Sequence, residues 1–270
     1  MLLLSIPLTS VATADTSANW VDHASAGPFT CRSEFRLGSG RELLDELAQL
    51  GADIERILEL RTGEEPIQLN LFRSRRRYAK YLSHRVPEAI NRRALYVRGP
   101  DMGRVYVYKH WSYATDVRHE CTHALLHSTL PFVPLWLDEG LAEYFEVKAS
   151  KRVDDHPHLG SLKTRLLFGW KPDLTSLESK RSFSELTEEG YRESWAWVHF
   201  LLHRSAATRK VLVAYLRDID SGRPPGPLSQ RIGQEIPNAE GQLIDHLKGW
   251  GKVTFSRTPS RRRFGSVLGN

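Results

Sequence analysis

Two histidines four residues apart, His119 and His123, constrain this 270-residue chain more than any other feature. They stand in the run His119-Glu120-Cys121-Thr122-His123. If 115–128 is helical, residues four apart sit one turn above each other on the same face. Two imidazoles then aim at one ion, and Glu120 lies beside that ion without having to bind it. Cys121, two positions from each histidine, is turned about 200° away and belongs to the core. His127 continues the series but is too far along the axis to share the ion, so it belongs to the cleft wall or the core.

A catalytic zinc site needs three protein ligands and an open fourth position. The third candidate is Glu139, sixteen residues after His123. Between them Pro131 stops the first helix, and Pro134 suits the first turn of another, where its missing N–H costs nothing. Glu139 falls in the second turn of a 134–148 helix running roughly antiparallel to the first. Asp138 points about 100° away and ranks well below Glu139. Glu143, one turn further, is either an exposed helix glutamate or the acceptor for the far ring nitrogen of a ligating histidine. Gly140 permits close approach of a helix or a substrate, or serves packing alone. Glu120 is the candidate general base, taking a proton from water activated at the metal. His156 and His158, in Asp154-Asp155-His156-Pro157-His158, read as a polar loop, with a second metal site as the alternative.

Trp136-Leu137-Asp138-Glu139-Gly140-Leu141-Ala142-Glu143-Tyr144, together with the 119–123 motif, resembles the gluzincin zinc peptidases. The likeness is to the bacterial peptidase-MA-like proteins of the domain-of-unknown-function type, and more distantly to the zinc aminopeptidases and thermolysin. It implies Zn2+ on His119, His123 and Glu139, with peptide or protein as substrate. Gly190-Tyr191-Arg192-Glu193-Ser194-Trp195-Ala196-Trp197-Val198 is similar to the aminopeptidase segment whose tyrosine stabilises an oxyanion, so the resemblance gives Tyr191 that role. The Gly-x-Met-x-Asn stretch by which aminopeptidases read a free amino terminus has no match, so exopeptidase activity is not implied. The alternative reading is a zinc-containing binding or scaffold protein, which would have no use for Glu120.

Composition narrows the partners. Of the formal +6 charge, +5 lies in residues 251–270, leaving +1 for the body. Such a tail is expected as a solvated, disordered end and no nucleic-acid function is expected. Arg73, Arg75, Arg76, Arg77 and Lys80 read as one exposed helix face. With only Cys31 and Cys121, the chain is no disulfide scaffold; a bond between them requires export and a fold that brings the sulfurs together. Residues 1–14 read as a possible signal peptide, giving a periplasmic or extracellular location, with the cytoplasm as the alternative. No stretch approaches the ~20 apolar residues of a membrane span.

Periodicity gives an α+β fold. Strands are expected at 29–35 and 67–72, helices at 41–60 and 74–83, a short helix or loop at 84–92, and a hairpin from 94–97 and 105–108. These form a small mixed sheet with helices, a gluzincin-like lobe over 27–150 that includes the two metal helices. Residues 150–180 read as a long excursion with one short helix near 160–168. Helices are expected over 183–188, 190–204, 207–219, 227–234 and 238–249, making 151–250 an α-helical lobe that shares the active-site cleft.

Overall fold

A computed structural model describes residues 18–38, 41–63 and 65–250. The expected export segment and the basic tail lie outside them. Five strands, β1 (Asp22–Ala26), β2 (Phe29–Ser33), β3 (Ile67–Phe72), β4 (Ala94–Arg98) and β5 (Gly103–Tyr108), form one mixed sheet in the order β1-β2-β3-β5-β4. β2, β3 and β5 run parallel, and β1 and β4 close the two edges antiparallel. Among the described residues ten α-helices complete a mixed α+β architecture.

The helices are α1 (Arg41–Leu58), α2 (Arg75–Leu82), α3 (Tyr113–Thr129), α4 (Leu135–Phe145), α5 (Pro157–Leu167), α6 (Leu174–Ser179), α7 (Glu188–His203), α8 (Ala206–Asp220), α9 (Leu228–Glu235) and α10 (Ala239–Gly249). β1 and α6 depart from expectation, and the helix expected over 183–188 is a 3-10 turn, Phe183–Glu185. β1 was not foreseen: Asp22-His23-Ala24-Ser25-Ala26 has no β-branched or aromatic residue, and its strand conformation comes from pairing with β2 across a Gly27–Pro28 link in which Gly27 takes φ +56°. The 150–180 excursion holds two helices, α5 and α6. His156 caps the first and Asp173 the second, each accepting from the backbone two or three residues on. The 84–92 stretch contains a 3-10 turn, Pro87–Ala89.

Side-chain alternation divides the sheet between two apolar layers. Val105 and Val107 of β5 face α1 and α3, joining Leu47, Leu50, Val117, Cys121 and Leu125. Tyr106, between them, faces the opposite layer with Phe72, Tyr78, Tyr81 and Leu82. α2 therefore buries its tyrosines and keeps its arginines outward, except that Arg77 pairs with buried Glu34 at 2.7 Å. Cys31 and Cys121 are both buried free thiols in the main core. That core continues without a break through α4 and α7, where Trp136, Trp195 and Trp197 are fully buried, into α8, α9 and α10. The described residues contain no helix long and apolar enough to cross a membrane.

Candidate metal centre

α4 is buried along almost its whole length. It lies against α3 on one side and α7 on the other. The pairing is antiparallel: His127, late in α3, meets Asp138 early in α4, while Arg118, early in α3, donates to the backbone carbonyl of Glu146. Close packing on the α7 side depends on Gly140, because a Cβ there would stand 2.6 Å from the Ser194 carbonyl oxygen. The missing side chain lets α4 press on α7, and this seats Glu139 against the histidines.

His119 Nε2 is 3.4 Å from Glu139 Oε2, and His123 Nε2 is 3.6 Å from Glu139 Oε1. Ligand atoms of all three residues lie within 4.8 Å of one another. Ligands about 2.0–2.1 Å from a tetrahedral zinc stand roughly 3.3 Å apart, so the three side chains fit such an ion with little movement. Each histidine presents Nε2 to this centre while its other nitrogen faces a carboxylate. His119 Nδ1 is hydrogen-bonded to Glu146 Oε2 at 3.0 Å, and His123 Nδ1 lies 3.0 Å from Asp138 Oδ1. The second oxygen of Asp138 bonds to His127 Nε2, also at 3.0 Å.

Neither of the two roles open to Glu143 holds: it is half-buried, and the carboxylate behind His119 is that of Glu146. Glu143 bonds to His158 Nε2 at 2.6 Å. His156 bonds the Glu143 carbonyl oxygen and stacks on Trp195 at 4.5 Å. His156 and His158 thus open α5 and tie it to α4; they are neither a loop nor, among the described residues, a metal-holding group. Glu146 was readable in principle: seven residues after Glu139, it is turned only about 20° from it. Asp138 was ranked low because it points away from the ion, and it does so in order to reach the far side of His123.

The electrostatics suit a cation. Burial pulls His119 toward the neutral form, yet its hydrogen bonds to Glu139 and Glu146 hold its pKa well above the ordinary value. Burial likewise opposes charge on His123, but Asp138 and Glu139 raise it to about 9. Burial pushes Glu120 up, an effect that the two histidines only partly offset. For Asp138 the balance reverses: burial is outweighed by His123 and His127, and the carboxyl is held far below its usual range. With carboxylates on both sides of each imidazole, the pocket favours a positive charge.

A cleft of about 340 Å³ opens over these groups. Glu120, His119, His123 and Glu139 form its base, β4 contributes Leu95 through Arg98 along one wall, and Phe183 and Tyr191 enter from the helical half. The Tyr96 backbone, on that wall, adds a small effect that also opposes the rise at Glu120. Tyr191 stands with its hydroxyl raised to about 12, by burial and by the nearby Glu139. His127 is both things expected of it, buried and part of the cleft wall.

Residues 113–225, from the start of α3 through α8, match the model of a family described as a protein of unknown function (DUF1570). None of the curated proteins matches the chain.

Proposed function

We propose that the chain is a zinc-dependent hydrolase of gluzincin type, a metallopeptidase, with His119, His123 and Glu139 as the metal ligands. The observation that carries this reading is the meeting of those three side chains beneath a cleft that Glu120 also lines while standing outside the three-residue group. Zinc held there would act as a Lewis acid and bring water within reach of deprotonation near neutral pH. Glu120 then takes the proton, its burial having raised its basicity for that task. Tyr191, kept protonated by its burial, donates its hydroxyl hydrogen to the negative charge that develops on the substrate oxygen.

A peptide is the substrate class that the cleft wall favours. Among the described residues β4 is an edge strand, paired with β5 alone. Alternate residues of an antiparallel pair point their backbone groups outward, so the wall offers main-chain partners to an extended chain.

Metal analysis and peptide-library hydrolysis on three proteins test the reading. Wild type should hold about one zinc per chain and cleave peptides. Glu120→Gln should keep the metal and lose turnover, and Tyr191→Phe should keep the metal and lose about 10²–10³ in kcat. Equal activity in wild type and Glu120→Gln would leave a metal-binding scaffold; absence of zinc in protein purified without chelator would end the proposal.

A further inference from the structure

On the side of α4 turned away from the metal centre lies a second cleft, of about 240 Å³, sharing no residue with the first. Tyr144 is five residues beyond Glu139, about 140° around the helix. The cleft is closed by the last turn of α1, the 3-10 turn after α4, the end of α7 and the first turn of α8. Three arginines line it, Arg56, Arg152 and Arg209, and no acidic residue does.

The charge there is only partly compensated. Arg152, 5% exposed, pairs through one Nη with Asp53 Oδ2 at 2.5 Å. Arg56 takes the other oxygen of the same carboxylate at 2.9 Å, so one acid serves two guanidinium groups. Arg209 donates from Nη2 to the carbonyl oxygens of Arg56 and Ile57, each at 3.0 Å, while its Nε is buried without a hydrogen-bond partner. Its nearest carboxylate, Glu59 at 3.6 Å, is also held by Arg217. At the floor, the Tyr144 hydroxyl and His203 Nε2 are 2.9 Å apart. Burial keeps that imidazole neutral at pH 7 by lowering its pKa to about 4, so it adds no charge but a polar surface.

We propose that this cleft binds a phosphate group, as the free ion or as a small phosphate monoester, on Arg56, Arg152, Arg209 and the Tyr144 hydroxyl. One carboxylate, Asp53, serves both Arg56 and Arg152, so the cleft keeps a net positive charge that an oxyanion would neutralise. Guanidinium groups arriving from three separate elements match the several oxygens of a tetrahedral phosphate better than the two coplanar oxygens of a carboxylate, which one arginine fork already satisfies. The cleft is smaller than the ~300–1,000 Å³ typical of drug-sized ligands, which suits a compact anion.

Titration calorimetry and thermal denaturation with sodium phosphate, against sodium chloride at equal ionic strength, test this on the full chain. EDTA-treated protein serves as the reference, since phosphate could also bind a metal. Saturable one-to-one binding with a rise in Tm is expected, unchanged by EDTA. Arg209→Gln should weaken it about tenfold or more. Because Arg209 also holds the end of α1, the exposed Arg56→Gln provides a second variant, and it should weaken binding while melting normally in chloride. Glycerol phosphate binding tighter than inorganic phosphate would mark an ester as the ligand, and weaker binding the free ion. The proposal is overturned if phosphate does no more than chloride, if both variants bind as wild type does, or if EDTA abolishes binding and so assigns it to the metal centre.

Discussion

His119 and His123 each face a carboxylate at both ring nitrogens, and this sets how they can serve a metal. A carboxylate behind a ligating imidazole fixes its tautomer and raises its basicity, and losing such a partner costs about 10–100-fold in metal affinity. Glu146→Gln and Asp138→Asn should each lower zinc affinity by that factor in a chelator competition, with the fold retained. Glu143→Gln should change it far less, because its carboxylate is engaged by His158. Equal losses from Glu143 and Glu146 variants would show that the hydrogen-bond pattern around His119 is not what orients it. Sequence spacing put 139, 143 and 146 on one face of α4 but had no means of choosing between two glutamates. That choice was made by His158, fifteen residues away in the chain, which draws Glu143 off.

At the level of elements, the site is the product of one helix squeezed between two others. α4 contributes Asp138 and Glu139 toward α3, and Gly140 toward α7. Replacing Gly140 with alanine puts a methyl group within 3 Å of the Ser194 carbonyl and of Val198 Cγ2, in a well-packed core. Overpacking of this kind costs about 1–3 kcal/mol. Gly140→Ala should therefore lower the urea midpoint and, by shifting α4, weaken zinc binding too. Stability loss with full metal affinity would mean that α4 adjusts without moving Glu139. The sequence allowed either packing or substrate approach as the role of this glycine, and the neighbour turns out to be a helix from the distant half of the chain.

Taken whole, the described residues pack a main apolar core that runs from one face of the sheet into the helical half and a smaller one on the other face, and the helical half holds a set of histidines kept neutral. His199 is depressed to about 3, and His156, His203 and His246 to about 4, in each case first by burial. His199 Nδ1 and His246 Nε2 are 3.0 Å apart, and His199 Nε2 is 2.9 Å from the Val153 carbonyl oxygen. A group whose folded pKa lies below its unfolded value contributes stability that is present above the unfolded pKa and lost as pH falls through the folded one. Below about pH 6.5 the unfolded chain takes up protons that the folded chain refuses, so stability rises with pH in that range. Denaturant midpoints should fall from pH 7 toward pH 4, by at most about 1.4 kcal/mol per pH unit for each such histidine. His246→Gln should flatten the slope. A midpoint independent of pH across this window would contradict the burial of these rings.

What the sequence determined by itself was whatever depends on spacing along one element: the helical face shared by His119 and His123, the outward Arg75, Arg76 and Lys80 of α2, the 94–108 hairpin and the helical second half. Local periodicity carries those because the relevant neighbours are within a turn or a strand pair. β1 escaped because its five residues have little strand preference and take their conformation from β2. The identity of the carboxylates behind the two histidines, the free state of Cys31 and Cys121, and the convergence of Arg56, Arg152 and Arg209 were decided only in three dimensions. Each depends on side chains from separate elements meeting across the core, and those meetings are set by how whole helices pack, α4 on α7 above all.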